Sequence, residues 1–397
     1  MIVVNRLFTS EGIKKASYKS PLVETLPNTC FVKRNDYVKQ KLSLNENKVE
    51  LGNLFHRAGP TEKIAFDASR TNVAIVNAGG LCPGINNVLY DLVYTLEKLY
   101  NINNIYGIRN GFTGLGKYNM LELSVEDIEG IQHDSGSLLG TSRGALNIEQ
   151  FSLLMDDHGI NQLYVIGGNG THKGAFELSK HTDVSIVCIP KTIDNDLPII
   201  DKSFGYETAV DQAKKSIMAA YYEAKDTENG LGIVKLMGKH CGWIALSACL
   251  SSYNVDVCLI PEYPYQTEKL IKYVENVIHN KGFCLMVVAE GVQSDGGQND
   301  IGIHLKSLFQ NTYCVKYIDP TYIIRSVPAN TSDCLYCKLL AQSAVHAGMS
   351  GYSGCTVGYV NNKLCIIPLD EITSKINYVS EIMWNRLLQS NLQPNLN

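Results

Sequence analysis

The chain has no surplus of positive charge: 35 Lys and Arg against 39 Asp and Glu give a formal net charge of -4. No global field is available to hold nucleic acid or an anionic membrane, so any phosphate site must be built locally. Long apolar runs are missing too. The longest, such as Phe283 to Ala289, fall far short of the ~20 residues that cross a bilayer, and no membrane span is expected. The first residues mix acidic with basic groups and contain no continuous apolar segment of secretory type, and Gln393 to Asn397 carry no peroxisomal tripeptide. The cytoplasm is the expected compartment. Zinc spacing is also absent: Cys334 and Cys337 form one C-x-x-C inside a helical pattern, with no second pair after it. Most other cysteines, including Cys188, Cys249, Cys258, Cys284 and Cys365, sit in apolar segments and read as reduced core thiols.

At 397 residues the chain is too long for one core, since single cores stop growing near ~250–300 residues. Residues 1–70 lack clear periodicity and read as an irregular extension with at most a short helix. From Asn72 onward, short β-branched runs alternate with longer amphipathic segments, which is the pattern of βαβ units and a parallel sheet. Strands are expected at Val73–Asn77, Asn104–Ile108, Gln162–Ile166, Val184–Ile189, Leu231–Met237, Val255–Ile260, Phe283–Ala289, Cys314–Ile318 and Cys355–Val360. Helices are expected at Ile85–Tyr100, Thr171–His181, Gly205–Ala224, Gln266–Asn280 and Ser332–Gly348. The fold class is α/β, with two Rossmann-like three-layer lobes and mainly parallel sheets. The larger lobe is expected over 71–204 with part of 319–397, and the smaller over 205–318. In such sheets ligands bind beyond the carboxyl ends of the strands, so the loops there are the place to look for chemistry.

The first strand runs into Asn77-Ala78-Gly79-Gly80-Leu81-Cys82-Pro83-Gly84. Glycines here let backbone N–H groups and a helix N-terminus face an anion, though taken alone they serve a tight turn equally well. A second glycine turn, Gly167-Gly168-Asn169-Gly170-Thr171, opens another helix. Between the two, Arg143 stands among small residues, where it offers either a planar fork to phosphate or a surface ion pair. Directly after the strand Val184–Ile189 comes Pro190-Lys191-Thr192-Ile193-Asp194-Asn195-Asp196. Phosphoryl transfer needs a carboxylate to deprotonate the attacking hydroxyl, a ligand for magnesium and a cation for the moving group, and this run supplies all three. An Asp-rich turn would explain the aspartates but not Lys191 and Thr192. Further on, Met237-Gly238-Lys239 and Glu290-Gly291 end two strands, and Lys316 to Arg325 adds two cations and the Tyr322 phenol, expected at one rim. Cations for a phosphate and a carboxylate for hydroxyls suit a sugar phosphate.

In their order these motifs resemble the 6-phosphofructokinase family from about Asn72 to Gly354, and the plant and protist ATP-using type most closely, including Arg57-Ala58-Gly59-Pro60 ahead of the first strand. The resemblance implies transfer from ATP to the 1-hydroxyl of fructose 6-phosphate, a glycolytic step in an allosteric homotetramer. It implies Asp194 as general base with Thr192 and Lys191 beside it. The sugar contacts would be Met237, Gly238, Lys239, Glu290, Lys316, Tyr322 and Arg325. The nucleotide contacts would be Gly79, Gly80, Arg143, Gly168, Gly170, Thr171 and Gly174. Asn169 and Asp196 would face magnesium. Enzymes of the family that use pyrophosphate tend to have Asp where this chain has Gly170 and Lys where it has Lys191, while many bacterial ATP enzymes have Gly at the latter. The pair Gly170 with Lys191 is that of plant and protist ATP enzymes. Asn169 departs from the usual Asp; its amide oxygen still coordinates a cation but brings no charge. Lys239 and Lys316 stand where the family often has arginine, keeping the cation but losing the fork. A pyrophosphate enzyme and a non-catalytic subunit of the same fold are the competing readings, and a lipid kinase or NAD kinase leaves the rim of Lys316, Tyr322 and Arg325 unexplained.

Overall fold

The structure is a computed structural model that describes residues 2–4, 14–33, 35–40, 42–45, 48–51, 53–115, 119–144, 146–293 and 300–397. The chain divides into two compact units. The first comprises Met1–Thr192, Leu197–Gly205 and Val327–Ile376, and the second Ile193–Asp196, Tyr206–Ser326 and Asn377–Asn397.

The first unit is built on a nine-stranded sheet in the order Met120–Glu122, Asn104–Ile108, Asn72–Asn77, Ile160–Gly167, Ser185–Pro190, Cys355–Val360, Lys363–Pro368, Leu54–Arg57, Tyr37–Lys39. The five strands from Asn104–Ile108 to Cys355–Val360 pair in parallel. Helices joining parallel strands cover both sheet faces, and so Val73 to Val76, Leu163 to Ile166 and Ile186 to Ile189 are buried without a solvated side. The remaining pairings are antiparallel. From Asn72–Asn77 the chain goes first to one neighbour, Asn104–Ile108, and later to the other, Ile160–Gly167. The strand order therefore reverses between Asn72–Asn77 and Ile160–Gly167, and both glycine turns lie at the carboxyl ends of this pair.

The second unit has a four-stranded, wholly parallel sheet in the order Val257–Leu259, Phe283–Ala289, Gly230–Leu236, Cys314–Ile318. Its central strands are again buried on both faces. At their carboxyl ends Glu290 N donates to Leu236 O at 2.8 Å and Gly291 N to Gly238 O at 3.2 Å, which holds the two following loops side by side.

Several elements differ from the sequence reading. Residues 1–70 are not simply irregular: Leu54–Arg57 and Tyr37–Lys39 extend the large sheet, Phe55 is fully buried, and Arg57 pairs with Asp36 at 3.0 Å. Part of that stretch, residues 5–13 among them, lies outside the described residues. The expected helix Ile85–Tyr100 is α-helical over Ile85–Tyr94 and widens into a π turn over Thr95–Leu99. There the buried Thr95 hydroxyl donates to Asp91 O at 2.6 Å, which competes with regular helical bonding. After Cys355–Val360 the chain turns back through Asn361 and Asn362, both with positive φ, into Lys363–Pro368. Two left-handed residues form the tight hairpin turn that matches strand twist. The segment from Asn377 onward belongs to the second unit, not to the larger lobe, and ends in the helix Glu381–Asn391. No helix of the described residues is long and apolar enough to cross a membrane.

Gly84 closes the first glycine turn and starts the helix Ile85–Tyr94 with φ +94°. A Cβ there would stand 2.6 Å from Cys337 Sγ and 3.2 Å from the Phe204 ring, so both backbone and packing forbid a side chain. Gly84→Ala is expected to cost about 2–4 kcal/mol, from left-handed strain plus overpacking. Chemical denaturation of the full chain, followed by a probe that reports the first unit, checks this.

Candidate active site

In the first unit the strand Ser185–Pro190 carries Lys191 past its carboxyl end. Lys191 N donates to Gly167 O at 2.9 Å, while its ammonium donates to Gly80 O at 2.5 Å, so one residue ties the two glycine turns together. Lys191 is only 4% exposed. Burial lowers its pKa to about 8; the Arg143 guanidinium adds to the lowering, and the Cys82 thiol opposes it. Glycine is required where these groups converge. A Cβ on Gly79, whose φ is +97°, would lie 3.4 Å from Lys191 Nζ and 3.8 Å from Thr171 Oγ1. One on Gly80 would lie 3.6 Å from Arg143 Nη2, and one on Gly168 3.2 Å from Lys191 O. Gly79, Gly80, Gly168, Lys191, Arg143 and Thr171 thus come together, with two cations over backbone free of side chains.

Asn77 Nδ2 donates to Gly140 O at 3.0 Å and to Ser137 Oγ at 3.2 Å, and Gly79 N donates to Ser142 O at 2.9 Å. These bonds hold the segment bearing Arg143 against the first turn. Gly170 differs from its neighbours: a Cβ there would meet nothing within 4 Å, so the position opens onto free space. Gly174 lies one turn further along the helix Asn169–Ser179, with its Cβ position 3.5 Å from Phe112, and is not part of the convergence. Asn169 Oδ1 is buried with no hydrogen-bond donor among the described residues. A buried amide oxygen without a donor suits a cation, so the residue fits the magnesium role.

The second glycine turn is anchored by His172, which sequence reasoning missed. One ring nitrogen, Nδ1, lies 3.0 Å from Gly168 O and the other, Nε2, 3.0 Å from Thr356 Oγ1; that hydroxyl donates to Cys188 O at 3.1 Å. The sequence signal was only a His just inside a helix, which is too common to single out.

The second unit holds Asp194, Asn195 and Asp196. Asp194 is half-buried, with its Oδ1 shielded from water, and its pKa is raised to about 7, first by desolvation and then by the carboxylates of Asp196 and Glu290. Three carboxylates are thereby brought together at the ends of Gly230–Leu236 and Phe283–Ala289. Met237 and Gly238 lie in the same loops. Gly238 has φ +130°, and a Cβ on it would stand 2.6 Å from Cys241 O. Lys239 is exposed.

Lys316 and the pair Tyr322 and Arg325 stand on successive elements of the second unit. Lys316 lies within the strand Cys314–Ile318, and its amine sits 3.8 Å from the Glu223 carboxylate on the helix Tyr206–Lys225. Tyr322 and Arg325 share the short helix Thr321–Arg325, with the guanidinium stacked 5.0 Å from the ring centroid and Tyr322 75% exposed. That helix begins beside Asp319, which pairs with Lys235 at 2.8 Å; Lys235 also pairs with Asp300 at 2.9 Å.

A cationic glycine cradle at the switch point of one sheet and half-buried carboxylates at the strand ends of the other are the parts of a phosphotransferase class of α/β protein. The chain belongs to the phosphofructokinase family: the model described as Phosphofructokinase matches residues 72–348. It is 40% identical over 425 residues to "ATP-dependent 6-phosphofructokinase 1" of Arabidopsis thaliana, covering 98% of this chain and 90% of that one. It is 35% identical to "ATP-dependent 6-phosphofructokinase" of Entamoeba histolytica, covering 91% and 88%. Among solved structures, a pyrophosphate-dependent phosphofructokinase from Nitrosospira multiformis superimposes with a TM-score of 0.73 at 20% identity, covering 83% of this chain and 93% of that one; this likeness speaks for the fold alone.

His172 and the buried His346 both have pKa values lowered to about 4, principally by burial. A histidine held neutral in the fold contributes stability above its unfolded pKa of ~6.5, and that stability is lost as pH falls toward the folded value. Thermal melts between pH 7 and pH 4 should therefore show a falling Tm. His172→Gln should flatten part of that fall even if it lowers Tm at pH 7.

Proposed function

We propose that this chain transfers the γ-phosphoryl group of ATP to the 1-hydroxyl of fructose 6-phosphate. The observation that carries the reading is the half-buried Asp194, its pKa raised to about 7 beside Asp196 and Glu290. A carboxylate poised near neutral pH is suited to take a hydroxyl proton and still be ionised when substrate arrives. Asp194 accepts the proton of the sugar hydroxyl as its oxygen bonds to the γ-phosphorus, while the bond to the bridging oxygen breaks and ADP leaves. Lys191 and Arg143 face the phosphates, the glycines at 79, 80, 168 and 170 admit them, and Thr171 completes the nucleotide side, with Gly174 left outside it. Thr192 stands beside Asp194 in the chain.

Sugar recognition falls to Met237, Gly238, Lys239, Glu290, Tyr322 and Arg325, with Lys316 held by Glu223 within its own unit. Asn169 and Asp196 are the residues assigned to magnesium, which when bound neutralises phosphate charge. ATP is favoured over pyrophosphate because Gly170 leaves space that an Asp would fill. We further propose a homotetramer, as the family resemblance implies, and exposed Tyr322 and Ile323 leave apolar surface for such contacts. Among the described residues the cysteines form no disulfide, which fits a reducing compartment such as the cytoplasm.

A coupled assay on the purified chain should show fructose 1,6-bisphosphate formed with ATP and magnesium, and not with pyrophosphate; turnover with pyrophosphate alone overturns the donor assignment. The pH profile of kcat/KM should be bell-shaped, rising through about 7 as Asp194 ionises and falling above about 8 as Lys191 loses its proton. Gly170→Asp should raise KM for ATP about tenfold or more, the effect of ~1.4 kcal/mol of like-charge repulsion. An unchanged KM would remove Gly170 from the site.

A further inference from the structure

The run Asp194-Asn195-Asp196 carries an unusual backbone. Asn195 is buried with φ +54°, in the left-handed region that non-glycine residues seldom occupy. Asparagine reaches that region more readily than other side chains, and the hydrogen bonds around it hold it there. Here the constraint acts on three successive backbone carbonyls. Cys241 Sγ donates to Asp194 O at 3.2 Å, Asn377 Nδ2 to Asn195 O at 3.0 Å, and Asn377 N to Asp196 O at 2.9 Å. Two of the three donors come from one residue, 181 positions later in the chain than Asp196.

Asn377 is itself held. Its carbonyl accepts from Trp243 Nε1 at 2.7 Å. Two residues on, Val379 N donates to the Glu262 carboxylate at 3.0 Å, and that carboxylate also accepts from Gly242 N at 3.1 Å, immediately before the helix Trp243–Ser252. Further along, Trp384 stacks on Tyr263 with ring centroids 4.8 Å apart and planes within 4°. Gln393 then bonds both the N–H and the carbonyl of Cys258, at 2.7 and 3.1 Å. The segment from Asn377 to the end of the chain is a strap fastened at four points, with Asn377 at its front.

We propose that Asn377 is a positioning residue for the reaction: it fixes the left-handed turn at Asn195 and so sets the directions of the Asp194 and Asp196 carboxylates. The inference rests on the reading of Asp194 as the base. Within the run from Asp194 to Asp196, Asn377 bonds backbone carbonyls and no side chain. Its loss therefore changes how well the carboxylates are aimed, not how tightly substrates bind. The Trp243 indole acts one step further back, by holding the carbonyl of Asn377.

Asn377→Ala should lower kcat about tenfold, the scale expected of a sub-ångström misplacement, with KM for both fructose 6-phosphate and ATP within about twofold. Trp243→Phe should show the same split at smaller size, about threefold. Thermal melts should find both variants folded, with Tm within about 4 °C of the parent. Asp194→Asn, run alongside, should be inactive. Wild-type kcat in Asn377→Ala with Asp194→Asn inactive overturns the inference and leaves the base intact. So does a fall in kcat accompanied by a parallel rise in both KM values and a large drop in Tm, which is general loosening. If Asn377→Ala does not fold, Trp243→Phe decides by the same criteria. Full activity in Asp194→Asn overturns the assignment of the base, and the inference with it.

Discussion

Keeping a carboxylate out of water next to two others is the constraint on which the second unit is organised. An ionised side chain without solvent is costly, and like charges nearby add to the cost. The Asp194 pKa rises to about 7 as a result. Nothing in that neighbourhood can be loose, because any relaxation would let water in and return the carboxyl to ordinary acidity. Gly238 and Gly291 are part of the same constraint. A Cβ on Gly291 would stand 2.0 Å from Lys239 O, so the two strand-end loops touch through backbone alone. The polar backbone of the run is met carbonyl by carbonyl from Cys241 and Asn377, as buried polar groups require.

The first unit solves the opposite problem. At its glycine turns the buried charge is a cation, Lys191, and burial lowers its pKa to about 8 where it raises that of Asp194. The ammonium is kept by a carbonyl, Gly80 O, and by the absence of side chains at Gly79 and Gly168. The two groups stand three residues apart in sequence, yet Thr192 closes the first unit's part of the run and Ile193 opens the second's. One strand end thus feeds a carboxyl with raised pKa and an ammonium with lowered pKa to two separately packed cores. Groups whose environments push their pKa values apart in this way are a signature of acid–base chemistry.

Much of the fold was legible because its strands are buried on both faces. Phe283–Ala289 and Cys355–Val360 fall where β-branched and apolar runs put them, since a strand without a solvated side must be apolar throughout. Edge strands carry no such signal. Tyr37–Lys39 lies at the sheet edge with Leu54–Arg57 next to it, and strands of three and four residues are too short to show alternation. The strand Lys363–Pro368 was signalled only by the Asn361-Asn362 pair. In the site, glycines and charged residues clustered in sequence stood out, whereas His172, Cys241 and Asn377 did not, being single polar residues distant from the motifs they support.

The sequence by itself determined the class of chemistry: glycine turns after strands, a lysine and two aspartates at one strand end, and a motif order shared with the phosphofructokinase family. Those are local facts, settled by what a backbone without Cβ and a carboxylate at a strand end can do. Tertiary structure decided what pKa those groups have and what holds them. Burial beside Glu290, 96 positions from Asp194, raises the base. Asn377 returns from the far end of the chain to bond the turn, and Lys316 pairs with Glu223 on the helix Tyr206–Lys225. Desolvation and hydrogen bonding depend on which distant atoms are near, and spacing along a chain does not encode that until the sheets have formed.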